Sequence, residues 1–128
     1  MENTVIPGIK IDSEKTKEIF VRFRNHFRAS DRMYSDNAPT SGLLVPPVKE
    51  DEDAFSNTKF LNLKEVYLLL DPWKKLYLAK PHEVLSYYVN PEREYFDFCV
   101  FDKTFLWCIG ATHNEQVVVV DPNGIVSD

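Results

Sequence analysis

The stretch Glu94 to Gly110, EYFDFCVFDKTFLWCIG, holds two apolar runs separated by Asp102, Lys103 and Thr104. Aromatic and branched side chains in such runs suit a pleated strand buried on at least one face, and a short polar break turns one strand back on the next. The spacing predicts antiparallel strands over 94–102 and 104–110. Phe96, Phe98 and Val100 then share one face with Phe105, Trp107 and Ile109, provided the loop holds an even number of residues. The opposite face carries Cys99, Phe101, Leu106 and Cys108, too apolar for water, so a helix, a loop or a partner subunit has to cover it. A homodimer joined through this face is one solution. A loop of Lys103 and Thr104, or of residues 102–105, would set Cys99 opposite Cys108, whereas a loop of Asp102 and Lys103 would offset them. Neither a Cys-x-x-Cys spacing nor a neighbouring cation marks a redox pair, and both cysteines read as buried thiols.

Working outward, EVYLLLD (residues 65–71) and KLYLAK (residues 75–80) form a second hairpin around Asp71, Pro72 and Trp73, where proline presets the turn and aspartate offers an acceptor. QVVVV (residues 116–120) supplies a fifth strand. Between the hairpins, PHEVLSYYV has Pro81 at a first helical position and Val84, Leu85, Tyr88 and Val89 at helical offsets, with Pro91 beyond them. It reads as a short helix, with His82 and Glu83 at its start for capping and exposure. Upstream, Asp12 or Ser13 can cap a helix whose Ile19, Phe20, Phe23 and Phe27 make one apolar stripe. His26 lies beside that stripe near the helix end, where the dipole favours it, with no companion for chemistry. The expectation is one α+β domain over residues 1–128: an antiparallel sheet of about five strands in a meander, packed by the N-terminal helix and by a short helix between strands two and three.

Composition bounds the function. A chain of 128 residues that is 44% hydrophobic and 13% aromatic can build a real core. Its apolar runs are too short for a membrane span, and MENTVIPGIKIDSEK lacks the regions of a secretory signal, so a cytoplasmic location is expected. The net charge of −5 is uneven: Lys10 to Arg32 carries seven basic and four acidic residues, a surplus of three, which leaves −8 on the rest. An acidic sheet opposes nucleic-acid binding, which depends on neutralising phosphates, and favours a basic protein partner. No phosphate loop, metal-ligand spacing or nucleophile beside a paired base occurs, so neither cofactor nor metal is expected.

Two polar clusters stand out. Residues 31–57 read as a long loop ending in Glu50, Asp51, Glu52 and Asp53; long loops tend to be functional, and four adjacent acids can address a basic surface. They lack the alternating ligands and glycine turn of a calcium loop, and a solvated charge run is the plainer reading. Thr112, His113, Asn114 and Glu115 sit between the last two strands as a hairpin tip. As chemistry, His113 could serve as general base oriented by Glu115 or Asp121; as structure, four polar residues are what any turn requires. The closing DPNGIVSD reads as a turn and tail in which Asn123 and Gly124 permit positive φ.

The order of helix, polar loop, EVYLLLD with KKLYLAK, short helix, EYFDFCVFDK and FLWCIGATHNEQVVVV resembles the SUKH-type bacterial immunity superfamily, over roughly Leu63 to Val120. The resemblance implies a protein that binds and blocks a cognate toxin, commonly a nuclease or deaminase with a basic active site, and catalyses nothing itself. The expected function is thus a protein-binding module, an immunity or inhibitor protein. Its contacts would come from Glu50, Asp51, Glu52, Asp53, Trp73, His113, Asn114 and Glu115. A small enzyme using His113, and a structural homodimer, are the alternatives.

Overall fold

The computed structural model describes residues 6–27, 48–70, 75–91, 97–111 and 116–127. Among the described residues seven antiparallel strands form one sheet: β1 (Ile9–Lys10), β2 (Val48–Glu50), β3 (Val66–Leu70), β4 (Lys75–Ala79), β5 (Phe98–Phe101), β6 (Cys108–Ala111) and β7 (Val117–Val120). Their order across the sheet is β1-β4-β3-β5-β6-β7-β2. The α+β class and the five long strands are as expected, whereas the two short strands at the edges carry too few residues to show a period of two.

The meander is corrected. β5 pairs with β3, Leu69 opposite Cys99, rather than with β4. The outer edge of β4 is taken by β1, with Ile9 opposite Leu78. Helix α3 (Pro81–Val89) then carries the chain across to the free side of β3. β4 and β5 therefore run parallel with β3 between them, a crossing that needs a connection longer than a hairpin turn. Pro81 opens α3, and the Glu83 carboxylate accepts a hydrogen bond from the Lys80 N–H at 2.9 Å, while His82 is exposed.

Helices cover both faces. Helix α1 (Ser13–Phe27) begins where the Asp12 carboxylate accepts from the Lys15 N–H at 2.9 Å, and it buries Ile19, Phe20, Phe23 and Phe27. These pack on Leu69, Leu76, Cys99, Phe101, Cys108 and Val120, with the rings of Phe23 and Phe101 5.0 Å apart. Cys99, Phe101 and Cys108 of the central hairpin are thus covered by α1, whereas Leu106, expected on the same face, is 45% exposed. On the other face Phe55, from a 3₁₀ turn at Ala54–Ser56, and Phe60, from helix α2 (Thr58–Leu61), join Val84 and Tyr87 of α3 over Phe98, Val100, Trp107 and Ile109. The 3₁₀ turn, α2 and β2 all lie in or next to the segment read as a long loop. Its described part is corrected accordingly: four-residue and three-residue elements are too short to display periodicity.

The central hairpin also differs from expectation. Phe101 pairs with Cys108 and Cys99 with Gly110, so six residues connect the strands and the two cysteines sit on diagonal rungs of one face. Diagonal Cα atoms stand about 7–8 Å apart, too far for a bridge. Asp102 starts the turn, its carboxylate accepting from the N–H and hydroxyl of Thr104 and its carbonyl from the Phe105 N–H at 3.0 Å. Phe105 then adopts φ 54°, which sends its ring to the α1 side, away from Trp107. The Arg22 guanidinium lies 4.3 Å above the centre of that ring and the His26 ring 5.1 Å from it. This packing supports a backbone conformation that disfavours side chains.

Gly8 has φ 91° and lies so close to β4 that a Cβ there would sit 2.3 Å from the Leu78 carbonyl oxygen. Gly8→Ala should therefore release β1 from β4. Because an edge strand can detach alone, the expected loss is about 2 kcal/mol, comparable to one strained backbone position. Amide exchange would show it as lost protection of the Ile11 N–H, bonded to the Leu76 carbonyl at 2.9 Å, with protection of β5 and β6 retained. Equal protection at Ile11 in both proteins would refute it.

Candidate protein-binding surface

One row of strand partners crosses the sheet near one end: Lys75, Leu70, Phe98, Ala111 and Val117, with the Asp51 N–H bonding the Val117 carbonyl at 3.0 Å. Of the anticipated contact residues, Glu50, Asp51, Glu52 and Asp53 are described. The acidic run leaves edge strand β2 there. Trp73 belongs to the connection between Leu70 and Lys75, and His113, Asn114 and Glu115 to the connection between Ala111 and Gln116; these four lie outside the described residues. At about 4.8 Å per strand, the β3–β4 pair stands roughly 20 Å from β2, within the span of a standard protein interface.

Pairing with β7 holds the acidic run. Val48, Lys49 and Glu50 oppose Val120, Val119 and Val118, and the Glu50 carboxylate accepts from the Gln116 amide at 3.2 Å. The backbone then turns. The Asp51 carboxylate accepts from the Asp53 N–H at 3.0 Å, the Asp51 carbonyl from the Ala54 N–H, and the Asp53 carbonyl from the Ser56 hydroxyl. Phe55, 1% exposed, anchors the turn in the core immediately after the acids. Glu50, Glu52 and Asp53 are exposed and Asp51 is half-buried. Among the described residues the carboxylates of Glu52 and Asp53 have no hydrogen-bonding partner, and no group of three or more His, Cys, Asp or Glu side chains converges to hold a metal ion. The arrangement is a short acidic ridge on a sheet edge, suited to long-range attraction of a cation-rich surface rather than to enclosing a small ion.

Asp121 belongs to a different structure. Its carboxylate accepts hydrogen bonds from the N–H groups of Ile125, Val126 and Ser127 at 2.8, 3.0 and 2.9 Å and from the Ser127 hydroxyl at 2.7 Å. Lys59 reaches from α2 to the Gly124 and Ser127 carbonyls at 3.2 and 3.0 Å. A carboxylate so engaged ties down the carboxy-terminal turn, in which Gly124 has φ 63°. It follows strand β7 at the opposite end from Val117, and the carboxy-terminal turn engages both of its oxygens, whereas His113 lies outside the described residues.

No protein-family model, curated protein or solved structure matches this chain. Among the described residues no helix is long and apolar enough to cross a membrane.

Sequence reasoning missed the support of the acidic run: Gln116 reaches Glu50 across 66 positions of chain, and no local pattern announces a three-residue edge strand. It also missed Arg22 and His26 as the cover of Phe105, because their partner turns to that side only through its positive φ.

Proposed function

We propose that this is a protein-binding module, a bacterial immunity or inhibitor protein that neutralises a cognate basic toxin or enzyme by direct binding. The observation that carries this reading is the acidic ridge at Glu50, Asp51, Glu52 and Asp53, held at one end by β2–β7 pairing and at the other by buried Phe55. Fixed charge on a rigid edge accelerates encounter with an oppositely charged surface and disfavours the wrong partner, while adding less to affinity. Trp73, His113, Asn114 and Glu115 complete the contact surface in this proposal, as they belong to connections leaving the same end of the sheet. The reading places the protein in the cytoplasm, where the buried thiols of Cys99 and Cys108 stay reduced.

The test is recovery of a partner from extracts of the source organism at low and at high salt, followed by association kinetics with the purified partner. A basic protein should be retained at low salt and lost at high salt, and its activity should fall when this protein is added. Neutralising Glu50, Glu52 and Asp53 together, as Gln, Gln and Asn, should slow association about tenfold at low salt, with dissociation changed much less. Absence of any specific partner at low salt, or a triple variant with unaltered association, would reject the proposal.

A further inference from the structure

Asn123 is the one asparagine of the chain that is followed by a glycine, and the pair stands at the tip of the turn after β7. Both residues are exposed, and among the described residues nothing hydrogen-bonds the Asn123 side chain. The Gly124 N–H donates to the Asp121 carbonyl at 3.2 Å, which closes the turn. Gly124 has φ 63°, and even a Cβ there would meet nothing nearer than the Ser127 carbonyl oxygen at 3.8 Å, so its nitrogen has little steric cover. An asparagine in this setting is chemically labile, because the next amide nitrogen can reach its side-chain carbonyl carbon and glycine leaves the backbone free to adopt the angles that this requires.

The same turn is where the tail is anchored. The Asp121 carboxylate accepts from the N–H groups of Ile125, Val126 and Ser127, and the Lys59 ammonium donates to the Gly124 and Ser127 carbonyls. Asn123 and Gly124 lie between the acceptor and its donors in the chain, so any change in the length of the main chain there alters the register of all these bonds. In the closed turn the Gly124 N–H is engaged and the chain is fixed, so attack waits for local opening.

We propose that Asn123 is a site of spontaneous deamidation, and that the conversion loosens the carboxy-terminal turn. The Gly124 nitrogen loses its proton and bonds to Asn123 Cγ, the bond from Cγ to the side-chain nitrogen breaks, and ammonia leaves a succinimide. Water, the only co-reactant, opens the ring at either carbonyl to give aspartate, or isoaspartate with one more methylene in the main chain. Either product adds a negative charge to a chain of −5. This site is independent of the acidic ridge and of the proposed partner. Incubation of the intact protein at mildly alkaline pH, with peptide mapping by mass spectrometry, tests it. Asn123 should gain the one dalton of amide-to-acid conversion before any other asparagine, with isoaspartate in excess and a rate that rises with pH, since the attacking nitrogen has to deprotonate. Urea should accelerate the conversion at least fivefold, and Asp121→Ala, which releases residues 125–127, should accelerate it without urea. The separated isoaspartyl form should show faster amide exchange at Val126 and Ser127, whereas Asn123→Gln, whose extra methylene disfavours ring closure, should keep its mass and its protection. Earlier conversion at another asparagine, equal rates with and without urea, an unaltered rate in Asp121→Ala, or unchanged protection in the isoaspartyl form would overturn the proposal.

Discussion

Trp107→Ala should lower unfolding free energy by about 3–5 kcal/mol, the range for removing a large aromatic side chain from a packed core. Trp107 is 0% exposed, lies among Phe60, Phe98, Val100 and Ile109 on the face beneath α2 and α3, and meets Phe60 edge-on at 6.1 Å between ring centres. Alanine would leave a void that neighbours from a sheet and from helices on separate segments cannot close together. With a urea dependence of about 2 kcal/mol per molar, the midpoint should fall by about 2 M without change of slope. Trp107→Phe separates packing from hydrogen bonding. The indole N–H is buried without a partner among the described residues, so its removal relieves an unmet donor and offsets part of the lost volume. The expected loss is then under about 2 kcal/mol. A near-neutral Trp107→Ala would mean that this ring is a surface anchor and that the core is built differently.

The second large effect is expected at Asp121. Asp121→Ala removes the acceptor of three backbone N–H groups and one hydroxyl, and should destabilise the protein by about 3 kcal/mol, given that bonds to a charged acceptor are worth about 1.5–3 kcal/mol each but these are partly open to water. The damage should begin locally. Val126 and Ser127 are buried only while the turn holds, so their amides should exchange fastest in the variant, and Lys59 should lose its two carbonyl contacts. Asp121→Asn keeps one acceptor oxygen and should recover roughly a third of the loss. If Asp121→Ala instead left stability and carboxy-terminal protection unchanged, the carboxylate would not be what holds the carboxy-terminal turn.

These two residues show where a linear reading succeeds and where it stops. Trp107 was legible as core because it stands in an alternating apolar run. Asp121 read as a turn residue or as a carboxylate to orient His113, and its anchoring role stayed hidden because its four donors lie four to six positions ahead and gather only when the tail curls back. The same division runs through the proposed surface. The acids from Glu50 to Asp53 are plain in the sequence, but their rigidity comes from β7, and nothing in KEDEDAF announces that pairing. Lys75 and Lys17 share a cleft although 58 positions separate them, because β1 brings the start of α1 to the edge of β4.

By itself the amino-acid order determined the α1 stripe of Ile19, Phe20, Phe23 and Phe27, the five long strands, the short helix after Pro81 and the unequal distribution of charge. Each is a matter of local periodicity or composition, which short-range sterics and hydrophobicity translate directly into an element. Tertiary structure alone decided that β5 joins β3 instead of β4, that short strands close both edges, that Phe105 turns to the opposite side from Trp107, and that the start of α1 meets Lys75 at the edge of β4. Those outcomes depend on which free edge and which apolar face remain available once the other elements are in place, a competition among distant segments that no local window contains.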